Sequence, residues 1–478
     1  MRLAGLSTTH TAERGGSSRT SARSAPLLIE YPLLAHRDPD AAAAVTQDGV
    51  VVSAADFLAA AWTLLARLPR SPYVVNVCED RFRFTVGLAA ALLGGQVSLL
   101  PNCRAPESLR QLGRRYEGAY LLTDHPIADA GMPHVQWPLS PASWLRCVNI
   151  PWFPSTQTAV IVFTSGSTGE PVAHPKTWGS LVQGAQAFSR HFDLTRRSGP
   201  VVVGTVPPQH MFGLESTVML PLQMGWAFHS KRPTLPEDLR VDCSRLPNPI
   251  WLMTTPTHLD ACEVQLAALP NVEGVVSATM PLDPTLAGRL ERSLGVPVYE
   301  VYGCTEGGML AGRRPAWSRR WTLCESLRLQ RDDDAVHVSG GHVGASVRLV
   351  DRITLHNERQ FTLHGREGDL VKVAGKRTSL TLLNRILTSI PGVIDGAFFR
   401  GRPSKSGLIR LSAIVVAPGV TKRDILLALR RNIDPVFLPR PLHLVAELPR
   451  NEIGKLPKGQ LAAFTSAKPV DRSLRVQP

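Results

Sequence analysis

The sequence predicts an α/β protein, with a large amino-terminal domain of helix-covered, mostly parallel sheets and a small α+β domain at the carboxyl end. Its 478 residues are enough to fill two or more domains. From residue 53 to residue 304, segments with a helical period alternate with short apolar runs, as in parallel sheets covered by helices. After Asp351 the pattern changes to hairpin-like and mixed segments over about 100 residues, a size that a domain can have by itself.

The amino-terminal elements follow one another in a regular order. A helical period over residues 53–69 precedes a strand-like run at 73–78, a helix at 84–95 and a strand at 96–102. Five further strand-like runs are TAVIVFTS (158–165), GPVVVGTVP (199–207), PIWLMTT (249–255), EGVVSAT (273–279) and VPVYEVYG (296–303). Each run ends in small or turn-forming residues, as strands do when their carboxyl ends carry a binding site.

The carboxyl-terminal elements are a hairpin-like stretch at 352–369, a helix and strand within 380–400, a strand at 409–419 and a helix at 422–433. We predict domains at 28–368 and 369–478, preceded by a disordered basic tail at 1–27. The tail is rich in Ser, Thr and Arg but lacks the apolar block of a secretory signal. A disordered tail, or a start placed too far upstream, is therefore favoured over a targeting segment.

The composition is that of a soluble globular protein, with 44% hydrophobic and 19% charged residues. No apolar run approaches the roughly 18 residues of a membrane span, so we expect a cytoplasmic protein without integral membrane contact. The seven cysteines are scattered and never form a CxxC pair. This spacing indicates a reducing compartment, with neither a disulfide framework nor a zinc site.

The net charge of +14 favours acidic partners. The basic residues are spread along the chain, however, and no aromatic-interleaved nucleic-acid motif is present. Because clustering rather than total charge is the usual footprint of nucleic-acid binding, we predict no nucleic-acid partner.

The stretch FTSGSTGEPVAHPKTW (163–178) places glycines and hydroxyl residues directly after a predicted strand. Glycines permit close approach, and converging N–H and hydroxyl groups bind phosphate oxygens. The loop lacks the GK[ST] of P-loop NTPases. Taken alone, such a run is also typical of a solvated turn. The candidate phosphate-binding residues are Thr164, Ser165, Gly166, Ser167, Thr168 and Gly169.

Five more motifs follow FTSGSTGEP: VPPQHMFGL (206–214), SATMPLD (277–283), VYGCTEGG (301–308), GREGDLVKVAG (365–375) and LPRNEIGKLPKGQL (448–461). In this order the six motifs resemble those of the adenylate-forming acyl and aryl acid ligases. This superfamily includes acyl-CoA synthetases, luciferases and the adenylation domains of peptide synthetases. Within it, GSTGEPVAHPKTW is most similar to ligases of bacterial aryl-polyene-type pigment pathways.

The resemblance implies an ATP site. Tyr302 would stack on adenine, Thr305 would hydrogen-bond the α-phosphate, and Glu306 would hold Mg²⁺, with Thr164 as a second metal contact. The residues alone also fit a capped helix start with Glu306 in its first turn, and both interpretations can hold together. Further nucleotide-binding residues implied by the resemblance are Ser277, Ala278 and Gly303.

Asp351 stands in "LVD", where the family has Thr-Gly-Asp. It lies fourteen residues before Gly365, which matches the family spacing from the ribose-binding aspartate to the Gly-Arg pair. The resemblance therefore assigns Asp351 and Arg366 to the ribose hydroxyls. The alternative is a surface aspartate at a strand end.

The resemblance also implies a small carboxyl-terminal domain that moves between two orientations. Asp369 would be the hinge, and Gly375 would line the channel for a pantetheine arm. Lys455 would be the catalytic cation beside the carboxylate and α-phosphate, although a lone lysine is usually solvated. His210, in the segment that lines the acid pocket, completes the predicted catalytic set of Lys455, Thr305, Glu306 and His210.

Besides "LVD", the chain departs from the family pattern at two further places. Val172 replaces the lysine that commonly follows the proline of the phosphate loop, and Lys176 could supply the missing charge. The acidic residue usual in the helix after Gly375 is also absent.

Cys304, inside the adenylate motif, is not expected to be a nucleophile, because no base stands in a recognisable relation to it.

The predicted function is ATP- and Mg²⁺-dependent activation of an aryl, unsaturated or fatty carboxylic acid to an acyl-adenylate. The acyl group would then pass to the pantetheine thiol of CoA or of an acyl carrier protein. The sequence leaves open a catalytically silent nucleotide-binding scaffold, which Val172 and "LVD" favour and the retained Thr305, Glu306 and Lys455 oppose.

Overall fold

The alternation of apolar runs and helical segments produces two large sheets with helices between and around them, and the described residues form four smaller sheets besides. The computed structural model describes residues 29–101, 104–127, 129–137, 147–165, 171–194, 199–246, 249–269, 271–332, 335–366, 370–373, 376–403, 409–451, 454 and 456.

The strands of the described residues are, in chain order, β1 (Glu30–Pro32), β2 (Ala42–Val45), β3 (Val51–Ser53), β4 (Tyr73–Asn76), β5 (Val97–Leu100), β6 (Tyr120–Thr123), β7 (His134–Gln136), β8 (Trp152–Pro154), β9 (Thr158–Ser165), β10 (Pro171–Thr177), β11 (Val201–Gly204), β12 (Ala227–His229), β13 (Ile250–Thr254), β14 (Val272–Ser277), β15 (Val298–Cys304), β16 (Gly308–Arg313), β17 (Arg320–Leu323), β18 (Arg328–Asp332), β19 (Ala335–Gly340), β20 (Val343–Leu349), β21 (Asp351–Leu355), β22 (Gln360–Arg366), β23 (Leu370–Val373), β24 (Lys376–Ser379), β25 (Asp395–Pro403), β26 (Ile409–Val416) and β27 (Leu442–Leu444).

The helices are α1 (Ala54–Leu65), α2 (Arg81–Leu93), α3 (Pro106–Arg115), α4 (Trp178–His191), α5 (Met211–Leu214), α6 (Leu220–Met224), α7 (Pro236–Ser244), α8 (Pro256–Ala267), α9 (Pro284–Leu294), α10 (Leu380–Thr388) and α11 (Lys422–Asn432). A π-helical segment, Glu215–Met219, joins α5 to α6, and a 3-10 turn spans Pro435–Phe437.

The two large sheets are parallel in their centres. The larger sheet is antiparallel at both edges, and the smaller one is antiparallel only at its β10 edge. One has six strands in the order β10-β9-β5-β4-β6-β7, and the other has eleven in the order β21-β22-β17-β16-β15-β14-β13-β11-β12-β2-β3. β10 pairs antiparallel with β9, and β16, β17, β22 and β21 extend the larger sheet as antiparallel strands beyond β15. The predicted α/β class is confirmed. The predicted apolar runs correspond to β4, β5, β9, β11, β13, β14 and β15, whereas the parallel strands β2, β6, β7 and β12 were not predicted.

Helix α4 lies between the two sheets. It contacts β10 of the smaller sheet and β16 of the larger one. The helix begins where the Thr177 side chain accepts a hydrogen bond from the Ser180 amide. Buried residues then occur all around its circumference, as expected for a helix enclosed by sheets: Trp178, Gly179, Leu181, Val182, Gly184, Ala185, Ala187, Phe188 and Ser189.

The carboxyl-terminal region has an apolar core of its own. Helices α10 and α11 pack with the three-stranded sheet β25-β26-β27 around buried Leu383, Leu387, Ala413 and Leu429. Beyond β27, Leu448 and Leu456 pack on a second cluster formed by residues of β25 and β26. These contacts hold the segment that carries the last sequence motif against the small sheet.

The parallel strands bring predicted site residues, and the VYGCTEGG motif, to the carboxyl-end edges of the two large sheets. In a parallel sheet the carboxyl ends of all strands lie at the same edge. Ser277 ends β14 and Cys304 ends β15 in the larger sheet, while Ser165 ends β9 in the smaller one. In the part of the chain that the structure describes, no helix combines the length and apolarity needed to cross a bilayer.

Candidate active site

Two distant motifs meet at His174. The Thr164 Oγ1 of β9 lies 2.9 Å from His174 Nε2 on β10, and the same nitrogen lies 3.9 Å from Glu306 Oε1 in the turn after β15. Burial lowers the pKa of His174, an effect that the Glu306 carboxylate opposes, so the ring is neutral at pH 7. The two predicted metal contacts, Thr164 and Glu306, therefore both lie beside the same imidazole nitrogen.

Lys176 lies on the same face of β10 as His174 and Val172, since strand residues two apart point the same way. It is buried, and its Nζ donates a hydrogen bond to the backbone carbonyl of Glu306. Val172 is 47% exposed and pairs with Thr164 across the hairpin. The Lys176 charge thus lies at the Thr305–Glu306 segment.

The Thr305–Glu306 segment is a turn between antiparallel strands β15 and β16, not the start of a helix. The helix-start interpretation is therefore wrong, because the chain reverses at once and Gly303 pairs with Met309. A Cβ on Gly303 would lie 2.3 Å from the Gly308 carbonyl oxygen, so the two strands approach too closely for a side chain. Glu306 remains exposed at the tip of this hairpin.

Cys304 precedes this turn and keeps its thiol protonated. Burial, followed by the nearby Glu306 carboxylate, raises the pKa of Cys304 to about 12. A thiol with such a pKa is a poor nucleophile at neutral pH. The expectation that Cys304 is not a nucleophile agrees with this environment.

Tyr302 and Asp351, distant in sequence, form a direct contact. The Tyr302 hydroxyl donates to Asp351 Oδ2 at 2.8 Å. The Tyr302 ring packs against Trp321 and Phe361, with centroid distances of 5.7 Å to each. Asp351 is also the cross-strand partner of Arg366 in the β21–β22 pair. The predicted adenine and ribose residues are therefore adjacent.

The end of β14 carries Ser277 and Ala278, both buried. The Ser277 Oγ has no hydrogen-bond partner among the described residues. Thr279, which follows, has a φ of +79°, a conformation that costs a β-branched residue about 1–3 kcal/mol. Strain of this kind is concentrated at functional sites.

His210 precedes the short helix α5, with its backbone carbonyl accepting a hydrogen bond from the Leu214 amide at 2.8 Å. A Cβ on Gly213 would lie 2.0 Å from the Pro207 carbonyl oxygen, which fixes the sharp entry into the helix. The π-helical segment then places Glu215 inside the protein, 4% exposed. Single π-helical turns occur frequently at functional sites.

The carboxyl-terminal motif reaches the same edge of the larger sheet. Arg450 binds both carboxylate oxygens of Asp395 at 2.6 Å and donates to the Gly454 carbonyl at 2.8 Å. A Cβ on Gly454 would lie 3.0 Å from Thr257 Oγ1 and 3.1 Å from Met280 Cε. Gly454 therefore lies against the residues that follow β13 and β14.

Several predicted site residues lie outside the described residues, and nothing is concluded about their placement: Gly166, Ser167, Thr168, Gly169, Asp369, Gly375 and Lys455. Conversely, His174 and Glu215 lie at the site but are not among the predicted residues. His174 could have been identified from its spacing, because residues two apart in a strand lie on the same face and Lys176 was already considered for the site. Glu215 has no local signal, since its partner Met309 lies 94 residues away.

A cavity of about 470 Å³ lies at the other end of β15, away from the Thr305–Glu306 turn. Tyr299, Gly312 and several arginines line it. Two of these arginines pair with carboxylates, Arg313 with buried Glu300 at 2.7 Å and Arg314 with partly buried Glu291 at 2.6 Å. This cavity is separate from the edge where the sequence motifs meet.

The family of the chain is shown by a match to the AMP-binding enzyme family over residues 67–376, more than half of its length. The chain belongs to the AMP-binding enzymes. This membership confirms the superfamily indicated by the six motifs.

Curated relatives of this AMP-binding enzyme are CoA ligases. The chain is 31% identical to a 4-coumarate–CoA ligase of Rhodobacter capsulatus over 239 residues, which are 50% of the chain and 60% of that ligase. It is 28% identical to a 4-coumarate–CoA ligase of Halorhodospira halophila over 324 residues, covering 63% of the chain and 76% of that ligase. The match to the Rhodobacter ligase thus spans less than two thirds of that protein.

Solved structures support the fold. The o-succinylbenzoate CoA synthetase of Bacillus subtilis, in complex with ATP and a magnesium ion, superposes with a TM-score of 0.76 at 19% identity. The match covers 91% of this AMP-binding enzyme and all of that chain. At this identity the likeness establishes the architecture alone.

Proposed function

We propose that this AMP-binding enzyme is an AMP-forming acid–thiol ligase. It activates an aryl, unsaturated or fatty carboxylic acid with ATP to an acyl-adenylate, then transfers the acyl group to a pantetheine thiol. The observation that carries the proposal is the approach of Thr164 and Glu306 to the same His174 nitrogen. Two motifs 142 positions apart supply oxygen ligands at the edge where the adenosine-binding candidates also lie.

The donor set fits Mg²⁺. The Glu306 carboxylate and the Thr164 hydroxyl are hard oxygen ligands, and Mg²⁺ is commonly held by one or two such groups together with substrate phosphates. Among the described residues, no group of three or more His, Cys, Asp or Glu side chains could hold a metal alone. When bound with ATP, the ion would neutralise charge on the phosphates.

The chain's own residues position the nucleotide and the acid. Asp351 accepts a hydrogen bond from Tyr302, which orients its carboxylate for the ribose hydroxyls. Thr305, in the hairpin turn, presents a hydroxyl to the α-phosphate. The acid's carboxylate attacks the α-phosphorus, the bond to pyrophosphate breaks, and AMP leaves when a thiol attacks the acyl carbon. Catalysis on this scheme is mainly positioning and charge stabilisation.

Lys455 would place an ammonium beside the acid carboxylate and the α-phosphate. The position of Gly454 against Thr257 and Met280 supports this, because it brings the motif to the site edge. We further propose that the domains are 28–368 and 369–478, with Asp369 as the hinge and Gly375 lining the pantetheine channel. The separate core around Leu383 and Leu429 supports a carboxyl-terminal unit that can move as a body.

The acceptor is CoA or the phosphopantetheine of an acyl carrier protein. Both are acidic, and the net charge of +14 favours either one. The naming of relatives as CoA ligases supports CoA. The similarity of GSTGEPVAHPKTW to ligases of aryl-polyene-type pathways supports a carrier protein and an aryl or unsaturated acid. We propose a cytoplasmic location, which the scattered, unpaired spacing of the cysteines supports because it is typical of a reducing compartment.

The test is acid-dependent exchange of pyrophosphate into ATP, measured with a panel of aromatic, unsaturated and fatty acids. We expect exchange with one acid class and a loss of about 100-fold or more in the Lys455→Ala variant, because a preorganised charge at the reacting phosphate is removed. Lys458→Ala, in the same motif, is the matched control and should retain exchange. Thioester formation with CoA and with a phosphopantetheinylated carrier protein then identifies the acceptor.

Absence of exchange with every acid, despite measurable ATP binding, would contradict the ligase proposal. That result would support the catalytically silent scaffold instead. Exchange that Lys455→Ala leaves intact would retain the ligase function but remove Lys455 from the catalytic set.

A further inference from the structure

The Thr305–Glu306 turn is held from the protein interior by two buried groups of opposite charge. Lys176, from the smaller sheet, is 9% exposed and donates from Nζ to the Glu306 carbonyl. Glu215, from the π-helical segment, is 4% exposed and accepts from the Met309 amide through Oε1 at 3.2 Å and Oε2 at 3.1 Å. One group therefore fixes the turn at residue 306 and the other at residue 309.

The Glu215 carboxylate occupies space that two glycines leave open. Gly308 has a φ of +73°, and a Cβ there would lie 2.1 Å from Glu215 Oε1. A Cβ on Gly184 of helix α4 would lie 3.2 Å from the same oxygen. His342 completes the support, with Nε2 donating to the Met309 carbonyl at 2.7 Å. The backbone of residue 309 is thus bonded through both its N–H and its C=O.

The two charges are electrostatically coupled. Burial raises the pKa of Glu215, and the Lys176 ammonium opposes that rise. Burial lowers the pKa of Lys176, and the Glu215 carboxylate is the leading influence that opposes the fall. Burying a single charge would cost several kcal/mol, so each group makes the burial of the other tolerable.

Simple core packing does not account for this arrangement. An apolar pair of similar volume would fill the same space, often with equal or greater stability. What the charged pair adds is two directed hydrogen bonds to the backbone of the turn whose exposed side, Glu306, faces the proposed metal and phosphate. A displacement of about 1 Å at such a position can cost about 100-fold in rate.

We infer that Lys176 and Glu215 are positioning residues for the adenylation reaction, fixing the Thr305–Glu306 turn so that its hydroxyl and carboxylate stay aligned with the α-phosphate and metal. The inference rests on the proposed function. Neither residue touches the reacting groups. Lys176 acts through the Glu306 carbonyl, and Glu215 acts through the Met309 amide.

The experiment compares Lys176→Met, Glu215→Gln and the double variant, which leaves no lone buried charge. Arg314→Met is the control, because it breaks an ion pair with Glu291 beyond the far end of β16, in which the Arg314 side chain is 38% and the Glu291 side chain 9% exposed. We measure kcat and the KM for ATP in pyrophosphate exchange at pH 8, thermal stability, and amide hydrogen exchange of peptides covering residues 303–310. We expect each single variant to lose about 10- to 100-fold in kcat with a small change in KM.

Faster amide exchange at 303–310 should accompany the loss of kcat in both single variants and be absent in Arg314→Met. The double variant should lose less than the product of the single losses, since the residues act as a pair. Unchanged kcat in folded single or double variants would overturn the inference, as would a loss in Arg314→Met of the same size.

If the wild-type protein shows no acid-dependent exchange, the proposed function fails, and the inference is decided by hydrogen exchange and by Mg²⁺-dependent ATP affinity. Faster exchange at 303–310 with weaker Mg²⁺-dependent binding in both single variants supports it. Unchanged values in both measurements overturn it.

Discussion

At the residue scale, Glu215 is a carboxyl group whose protonation is linked to folding. Burial raises its pKa to about 7 from an ordinary value of 4.5, although the Met309 amide and Lys176 both favour the charged form. A raised folded-state pKa means that the native protein binds more protons than the unfolded chain between these two values. The contribution of Glu215 to stability is therefore complete below about pH 4.5 and is lost as the pH rises through about 7.

We predict that Glu215→Gln removes this part of the pH dependence. Between pH 4.5 and pH 8, the unfolding free energy of the wild type should fall relative to that of the variant by on the order of 3 kcal/mol. Urea unfolding of both proteins across that range measures it. A difference that stays constant with pH would show that Glu215 titrates with its ordinary pKa.

At the element scale, the segment after β27 is tied to the small sheet by Arg450. Its guanidinium joins Asp395, at the start of β25, to the Gly454 carbonyl directly before the predicted catalytic lysine. The Arg450 and Asp395 side chains are about a quarter exposed, so the pair contributes little to stability, about 0–1 kcal/mol. Its larger effect is on the geometry of the loop.

We therefore predict that Arg450→Met lowers the adenylation rate by about 10-fold or more while shifting thermal stability only slightly. Pyrophosphate exchange and thermal unfolding, measured on the same preparation, separate the two effects. Arg430→Met, on the exposed side of α11, is the control and should change neither quantity. Equal effects in the two variants would remove Arg450 from any role in positioning the loop.

At the scale of the whole molecule, the net charge of +14 acts on acidic acceptors before they reach the site. Long-range attraction raises association rates and is screened by salt within about 10 Å at 0.1 M ionic strength. Neutral pantetheine carries the same thiol without the charge. Added salt should therefore slow the association of CoA or a carrier protein more than that of pantetheine, and leave the rate of the chemical step unchanged.

We predict that kcat/KM for thioester formation with CoA or a carrier protein falls several-fold as ionic strength rises from about 0.05 to 0.5 M, with kcat nearly constant. Steady-state kinetics with free pantetheine supply the control, which should show little salt dependence. A parallel fall with pantetheine would mean that salt acts on the enzyme itself.

Local patterns predicted the elements that carry clear signals. β9 was expected at 158–165 and occupies Thr158–Ser165, because a β-branched run between a turn and a glycine loop admits few alternatives. β10 was not predicted, since Pro171 and Pro175 argue against a strand. The structure places β10 at the edge of its sheet, where the missing amides are tolerated.

The site was predictable where a motif is continuous and not where contacts are distant. Tyr302 and Asp351 were both predicted as nucleotide-binding residues, each from its own motif, and in the structure a hydrogen bond joins them. The turn at Thr305 was open to a helix interpretation, because Thr and Glu are common in helix starts and in turns alike. Only pairing with β16 decides between them, and pairing is a property of the chain as a whole. The contacts of Glu215 likewise depend on how the whole chain folds, so no local pattern predicts them.

The order of strands in the larger sheet has a consequence for synthesis. β2 ends at residue 45, and the strand that it pairs with, β12, begins at residue 227. At about 5–20 residues per second, the ribosome takes roughly ten to forty seconds to make the intervening chain. During that interval the edge of β2 that pairs with β12 has no partner, so the β2–β3 hairpin can join the larger sheet only after about residue 229 has been made.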